Sequence, residues 1–419
     1  MQVRNPIWRV FGIFSLFISL QCNAQSNTTV TFYTWRPVDA AVWEEINRLK
    51  LIPNIRVETK AIVRAYYFDA TLLNIQNKNA DIFLWQPGAS NLKRLIERDY
   101  IAPYKQDLSH MNAGALAGAL GPDGQYYGVP FAVQMQSIMV NNKLARKLGV
   151  DRKPATLKEL ENHFSIIKSA GITPIFFSVS EGWYVSQLMG EVFTAGLLEE
   201  SFTQGLIDGT QCFNTPQYTQ IFDTYKRWLD AGYVNANAKS ATYYDMFTAV
   251  SFGNAVMSIE GGWMTSKAEP YYTMDANYEF AFWPIPGKSG KYSAFGDGTF
   301  QVAKNSPNLE AAQKVLQFTA TKKFAELFAK FAQQLPAYGS KIDMPAGDLD
   351  TMAALVAEKS YSVSPFNSYA LNRGEPNYNE LFRQAIAKLT QKEITPTKAS
   401  QFIQDGLNSW DYVGSAKCK

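Results

Sequence analysis

Histidine is almost missing from this chain: His110 and His163 are the only two in 419 residues. Cysteine is nearly as scarce, with Cys22, Cys212 and Cys418. So few imidazoles and thiols exclude a multi-ligand metal cluster. His163 falls inside a helical pattern and reads as a packed or surface residue, not a ligand or base. Charge is thin in both signs, with 40 Lys and Arg against 37 Asp and Glu and a formal net charge of +3. Two of those positives, Arg4 and Arg9, lie in an N-terminal segment expected to be removed. The mature chain is then close to neutral, and no nucleic-acid partner is expected. There is no G-x-S-x-G elbow, no H-E-x-x-H, no phosphate loop and no dinucleotide fingerprint behind a strand. A carboxylate pair such as Asp297 with Glu260 or Glu181 could serve glycoside hydrolysis only at a separation that sequence does not give. Neither an enzyme nor a cofactor is expected. Beyond the N-terminus no apolar run reaches membrane length, and there is no repeat or low-complexity tract.

The N-terminus itself reads as a secretory signal. Arg4 and Arg9 form a basic region, Val10–Leu20 an apolar one too short to span a bilayer, and Cys22-Asn23-Ala24 a cleavage site. Residues 1–24 are therefore assigned to a signal peptide and the product to the periplasm. A lipid anchor at Cys22 is the weaker reading, because Gln21 is bulky for a lipidation box. In an oxidising compartment Cys212 and Cys418 can pair and tie down the C-terminus. Sequence does not give the distance between them.

Aromatic residues are plentiful: 14% of the chain, with nine Trp and 22 Tyr. Rings with polar tips suit ligands that have apolar faces and polar rims. Their placement is informative. Val30–Thr34 reads as a strand ending in Trp35-Arg36. Ala80–Leu84 reads as another, ending in Trp85-Gln86. Between them lie a helix from Asp39, a strand Ile55–Thr59 and a helix over about Tyr67–Gln76. This β-α-β-α-β order predicts an α/β domain with a parallel sheet and helices on its faces. Open sheets of that kind bind ligands beyond the C-terminal ends of their strands.

The second half repeats the theme. Val129–Val133 reads as a strand followed by Gln134, and Ser137–Asn141 as a further extended piece. A capping box at Thr156–Glu159 opens a helix. Strand Ile172–Phe177 leads to Trp183. Ser240–Trp263 reads as a helix stopped at Gly253, a strand Ala255–Ile259, and a Gly261-Gly262 turn that exposes Trp263. Tyr292–Val302 is an extended run interrupted by Gly296-Asp297-Gly298, and such glycines mark a bulge or a close backbone approach. Helical spacing then runs from Leu309 to Phe331 and ends at Gln333-Gln334-Leu335-Pro336.

Several stretches together resemble a known family: ADIFLWQPGASNLKRLIERDYIAPY, YYGVPFAVQMQSIMVNNKLARKLGV, PATLKELENHFSIIKSAGITPI, GNAVMSIEGGWM, FAFWPIPG and FGDGTFQVAKNSPNLEAAQKVLQF. The chain is similar to the extracellular carbohydrate-binding proteins of bacterial ABC importers, family 1 of the solute-binding proteins, which includes the maltose- and glucose-binding proteins. The resemblance runs from about Thr28 to Trp410. It implies a two-lobed α/β periplasmic-binding-protein fold of class II type, with a ligand cleft between lobes joined by a hinge. It places one lobe at 25–136 plus 296–338 and the other at 137–295 plus 339–419. It implies a monomer that takes a carbohydrate ligand and docks on ABC permease subunits. The alternative is an exported sugar sensor that docks on a membrane histidine kinase or chemoreceptor.

Carried over residue by residue, Trp35, Trp85, Gln86, Gln134, Trp183, Tyr243, Trp263 and Asp297 fall where family members contact ligand. Some relatives have histidine at the positions of Gln86 and Gln134, which leaves the sugar open. The residues themselves support the same list. The five rings can cover sugar faces, Asp297 accepts from hydroxyls, and Gln86 and Gln134 both donate and accept. Gln334 is placed with them. Arg36 can donate to hydroxyls or to a uronic carboxylate, whereas Arg64 reads as a solvated surface residue.

Overall fold

The computed structural model describes residues 27–265, 279–345, 347–361 and 363–418. The expected signal segment and Cys22 lie outside the described residues.

Eleven strands occur among the described residues: β1 Thr28–Thr34, β2 Ile55–Ala61, β3 Ile82–Trp85, β4 Val129–Pro130, β5 Val133–Asn141, β6 Thr173–Phe176, β7 Ala255–Gly261, β8 Phe280–Trp283, β9 Tyr292–Gly296, β10 Thr299–Val302 and β11 Ser360–Tyr361. They form two sheets. The first has the order β2-β1-β3-β10-β4, and the second β11-β9-β5-β7-β6 with β8 also paired to β5. The expected parallel arrangement is seen for β1, β2 and β3, while β10 enters antiparallel to both β3 and β4. That reversal follows from the connection: β10 arrives directly from β9 in the other sheet.

Two runs read as single strands in the sequence are divided. Val129–Val133 splits between β4 and β5, with Ala132 bridging to Pro336. Tyr292–Val302 splits at Asp297-Gly298. Gly298 has φ +151°, and a Cβ there would fall 2.4 Å from the Trp85 carbonyl oxygen. Only glycine lets β10 lie that close to β3. The chain therefore passes between the sheets near residues 131–132, near residues 297–298, and again near residues 332–338, where the Val133 N–H donates to the Leu335 carbonyl. The fold is thus a two-lobed α/β architecture.

Local signals explain the helices. Thr156 accepts from the Glu159 N–H, Thr215 from Tyr218 ahead of Pro216, and Thr395 from Lys398 ahead of Pro396. Each such cap contributes about 1 kcal/mol. Thr242 and Asp245 form a reciprocal capping box for Tyr243–Ser251, the helix that presents Tyr243. Gly253 ends that helix at φ +75°. The helical run from Leu309 to Phe331 is two helices, because Thr321 caps a new start at Lys322.

The second sheet carries the larger core, built on Ile138, Ile175, Phe193, Trp228 and Met257. The first is built on Phe32, Trp43, Phe300 and Phe324, and it continues through the crossing segments to Tyr292 and Met352. A disulfide joins Cys212 to Cys418, with Cα atoms 5.4 Å apart.

Candidate functional site

Strand ends of both sheets converge where the chain crosses between them, and a polar cluster forms there. The Gln134 side-chain amide donates to Asp297 Oδ2 at 2.9 Å and to Gln334 Oε1 at 2.9 Å. Arg36 Nη1 reaches the same Asp297 oxygen at 3.5 Å, and its Nε donates to Asp39 at 3.1 Å. Burial raises the Asp39 carboxyl, against the pull of Arg36 and of the Thr34 hydroxyl. Phe131 and Phe328 lie under the Arg36 guanidinium at 4.6 and 5.2 Å. Arg36, Gln134 and Gln334 are 5%, 1% and 2% exposed, so these three are spent largely on holding the crossing segments together. Asp297 keeps more access, with its side chain 18% exposed.

An aromatic chain extends from this cluster. Tyr243 donates to Glu260 Oε2 at 2.8 Å and accepts from the Trp263 indole at 3.0 Å. Trp183 meets Tyr243 edge-on at 4.9 Å. Glu260 is buried on β7, and the loss of solvent pushes its carboxyl up to about 8. It therefore keeps its proton at neutral pH. Among the described residues its Oε1 has no hydrogen-bond partner. Gly261 acts here by its missing side chain more than by its backbone freedom: a Cβ would fall 2.1 Å from the Trp263 ring. The indole folds back over the strand end, half-buried, instead of standing clear of it.

Trp35 leaves the end of β1 half-buried, edge-on to Tyr67 at 5.1 Å. Between Trp35 and Trp183 sits Arg64, its Cζ 5.2 Å from one ring and 5.1 Å from the other. Arg64 opens the helix Arg64–Gln76, three residues earlier than the sequence spacing placed its start. The reading of Arg64 as a solvated surface residue is corrected: the helix start turns it into the gap between two tryptophans that come from opposite sheets.

Trp85 also departs from expectation. It is 2% exposed, edge-on to Phe68 and Phe83, and its indole donates to the Asn91 carbonyl. As the last residue of a strand buried on both faces, it points into the first sheet's core. It underlies the site and offers no free face to a ligand.

Gln86, the next residue, faces a cavity of about 270 Å³ that reaches from the β3 end across to the second sheet's elements. Trp183 forms part of its wall. The rest is rich in amides, with Asn91, Gln187, Asn367 and Asn379 among them. Ser90 Oγ donates to the Asn372 carbonyl at 3.0 Å and closes one side of it. Gln187 belongs to a π-helical turn, Tyr184–Gly190, a form often found at functional sites. Sequence reading missed these amides, although Asn367, Asn372, Asn377 and Asn379 within thirteen residues were a visible signal. Among the described residues no group of three or more His, Cys, Asp or Glu could hold a metal ion.

Chemically, then, the arrangement offers aromatic surface at Trp263 and around Trp35 and Trp183, which share a guanidinium between them, a partly open carboxylate at Asp297, and a cavity whose amides donate and accept.

Solved structures of other proteins share this architecture. One solved structure, from work on xylan utilization by the thermophilic bacterium Caldanaerobius polysaccharolyticus, has a TM-score of 0.72 at 21% identity, over 90% of this chain and 99% of its own. The GacH receptor of Streptomyces glaucescens, solved unliganded and with acarbose, has a TM-score of 0.71 at 18% identity, over 94% of this chain and 100% of its own. In sequence, the multiple sugar-binding protein of Streptococcus mutans is 22% identical over 202 residues, 46% of this chain and 47% of that protein. The chain thus matches about half the length of that curated relative. The family of bacterial extracellular solute-binding proteins matches residues 53–346, well over half of the sequence and all the strands but β1 and β11, and the chain belongs to that family.

Proposed function

We propose that this protein is exported to the periplasm, captures a mono- or oligosaccharide between its lobes and delivers it to the permease of an ABC importer. One observation carries the reading: aromatic faces from both sheets, Trp35 on one side and Trp183 and Trp263 on the other, border a gap rimmed by amides and a carboxylate. A pyranose has the matching surface, with apolar C–H faces and a belt of hydroxyls. The lobes in this reading are 25–136 plus 296–338, and 137–295 plus 339–419, with the three crossing segments as the hinge. Closure would shut water out and strengthen each polar contact. The Cys212–Cys418 bond fits an oxidising compartment. The ligand set in this reading is Trp35, Gln86, Trp183, Tyr243, Trp263 and Asp297, supported from below by Trp85, Arg36, Gln134 and Gln334.

A thermal-shift screen of the mature protein over neutral and acidic glycans tests it. A saccharide hit is expected, with an affinity near micromolar, about −8 kcal/mol. A clear hit for a polyamine or peptide with none among the sugars would overturn the carbohydrate reading.

A further inference from the structure

Three arginines lie by the gap and its cavity, and their charges are used differently: Arg383, on the cavity wall, pairs with Glu380. Arg36 is buried and paired to both Asp39 and Asp297. Arg64 is half-buried and, among the described residues, forms no hydrogen bond and no ion pair. Its neighbours are the faces of Trp35 and Trp183. Asp297 and Glu181 act on it only at longer range. Each is engaged elsewhere: Asp297 Oδ2 with Gln134 and Arg36, Glu181 Oε1 with the Tyr243 N–H at 3.5 Å.

A guanidinium between two rings has its faces covered and its five N–H donors left in the plane between them. A hydroxyl uses one of those donors. A carboxylate takes two in parallel, with charge assistance. The slot also fixes the height at which that carboxylate must enter, level with the gap between two rings suited to pyranose faces. We propose that Arg64 is the carboxylate receptor of this cleft and that the protein selects acidic saccharides, those carrying a uronic carboxylate. The proposal rests on the carbohydrate reading above and narrows it to a substrate class.

The test is titration calorimetry on the mature protein with matched pairs: galacturonic acid and galactose, glucuronic acid and glucose, digalacturonate and galactobiose. The acidic member of at least one pair is expected to bind about ten-fold or more tighter, and to lose affinity as salt is raised. R64Q should abolish that preference, weakening the acidic member about ten-fold more than its neutral partner. R64K keeps the charge without the planar fork, and should fall between R64Q and the parent protein. The melting temperature of each variant reports that the fold is intact. A neutral saccharide bound as tightly as every acidic one, or an acidic preference that survives R64Q, overturns the proposal and leaves the carbohydrate reading standing. Failure of every saccharide in the broader glycan screen overturns both.

Discussion

Trp85 and Trp263 are both tryptophans at strand ends, yet their surroundings predict opposite phenotypes. Trp85 is enclosed by Phe68, Phe83 and the Asn91 carbonyl. Trp85→Ala should cost about 3–5 kcal/mol of stability through the cavity it leaves, read as a lowered denaturation midpoint. Trp263 is half-buried, hydrogen-bonded to Tyr243 and placed on the gap. Trp263→Ala should weaken saccharide binding by about 1–3 kcal/mol with a smaller loss of stability. Normal binding in a strongly destabilised Trp263→Ala protein would remove that ring from the site. Two carboxyls set a pH dependence. Burial pushes Glu260 and Glu191 up to about 8 from the ordinary 4.5, and the Ser364 hydroxyl hydrogen-bonds Glu191. Between those values the folded state holds protons that the unfolded chain has released. Stability therefore falls as pH rises from about 4.5 towards about 8 and levels off above it. Each group contributes on the order of a few kcal/mol. Melting curves across that window should show the decline, and E260Q or E191Q should flatten it.

At the scale of elements, the end of β7 is the most exacting piece. A methyl group at residue 261 would occupy the space of the Trp263 ring. G261A should swing the indole off the strand end, break its bond to Tyr243 and reduce ligand affinity more than it lowers the melting temperature; tryptophan fluorescence would report the displaced ring. Sequence showed that a tryptophan follows this strand, and the helix, the Gly253 stop and the strand were legible because each follows from local signals: periodicity, a capping threonine, a left-handed glycine. The direction of the ring was not legible, since it depends on contact across two residues without a Cβ. The same distinction runs through the rest of the site. Arg64 was misjudged because its neighbours, Trp35 and Trp183, are distant in sequence and come from different sheets. Trp85 looked like its counterpart Trp35 because both end strands, but β3 is covered on both faces whereas the end of β1 opens on the gap. The amide cavity combines helical residues nearly three hundred positions apart, such as Asn91 and Asn379, and no local pattern announces such a meeting.

At the scale of the whole molecule, the disulfide and the crossings constrain different things. Cys212 and Cys418 both sit on the second sheet's side, where the Phe213 N–H donates to Gln404 and the Cys418 carbonyl accepts from Asn408. The bond closes a loop with a sequence separation of 206. Replacing both cysteines with serine should lower stability by about 2–5 kcal/mol in chemical denaturation while leaving saccharide affinity unchanged. A loss of affinity with stability intact would place the bond in the binding mechanism instead. The crossings bear on how the chain is made. Among the described residues β4 has no sheet neighbour other than β10, and β10 lies some 170 residues further along, between β3 and β4. As the chain emerges, its first sheet stays incomplete until residues 299–302 arrive, and the central β5 of the second awaits β7, β8 and β9. Such late, long-range pairing slows folding. In the exported protein proposed above, that delay would have a use: much of the polypeptide could thread a narrow pore before either sheet is complete.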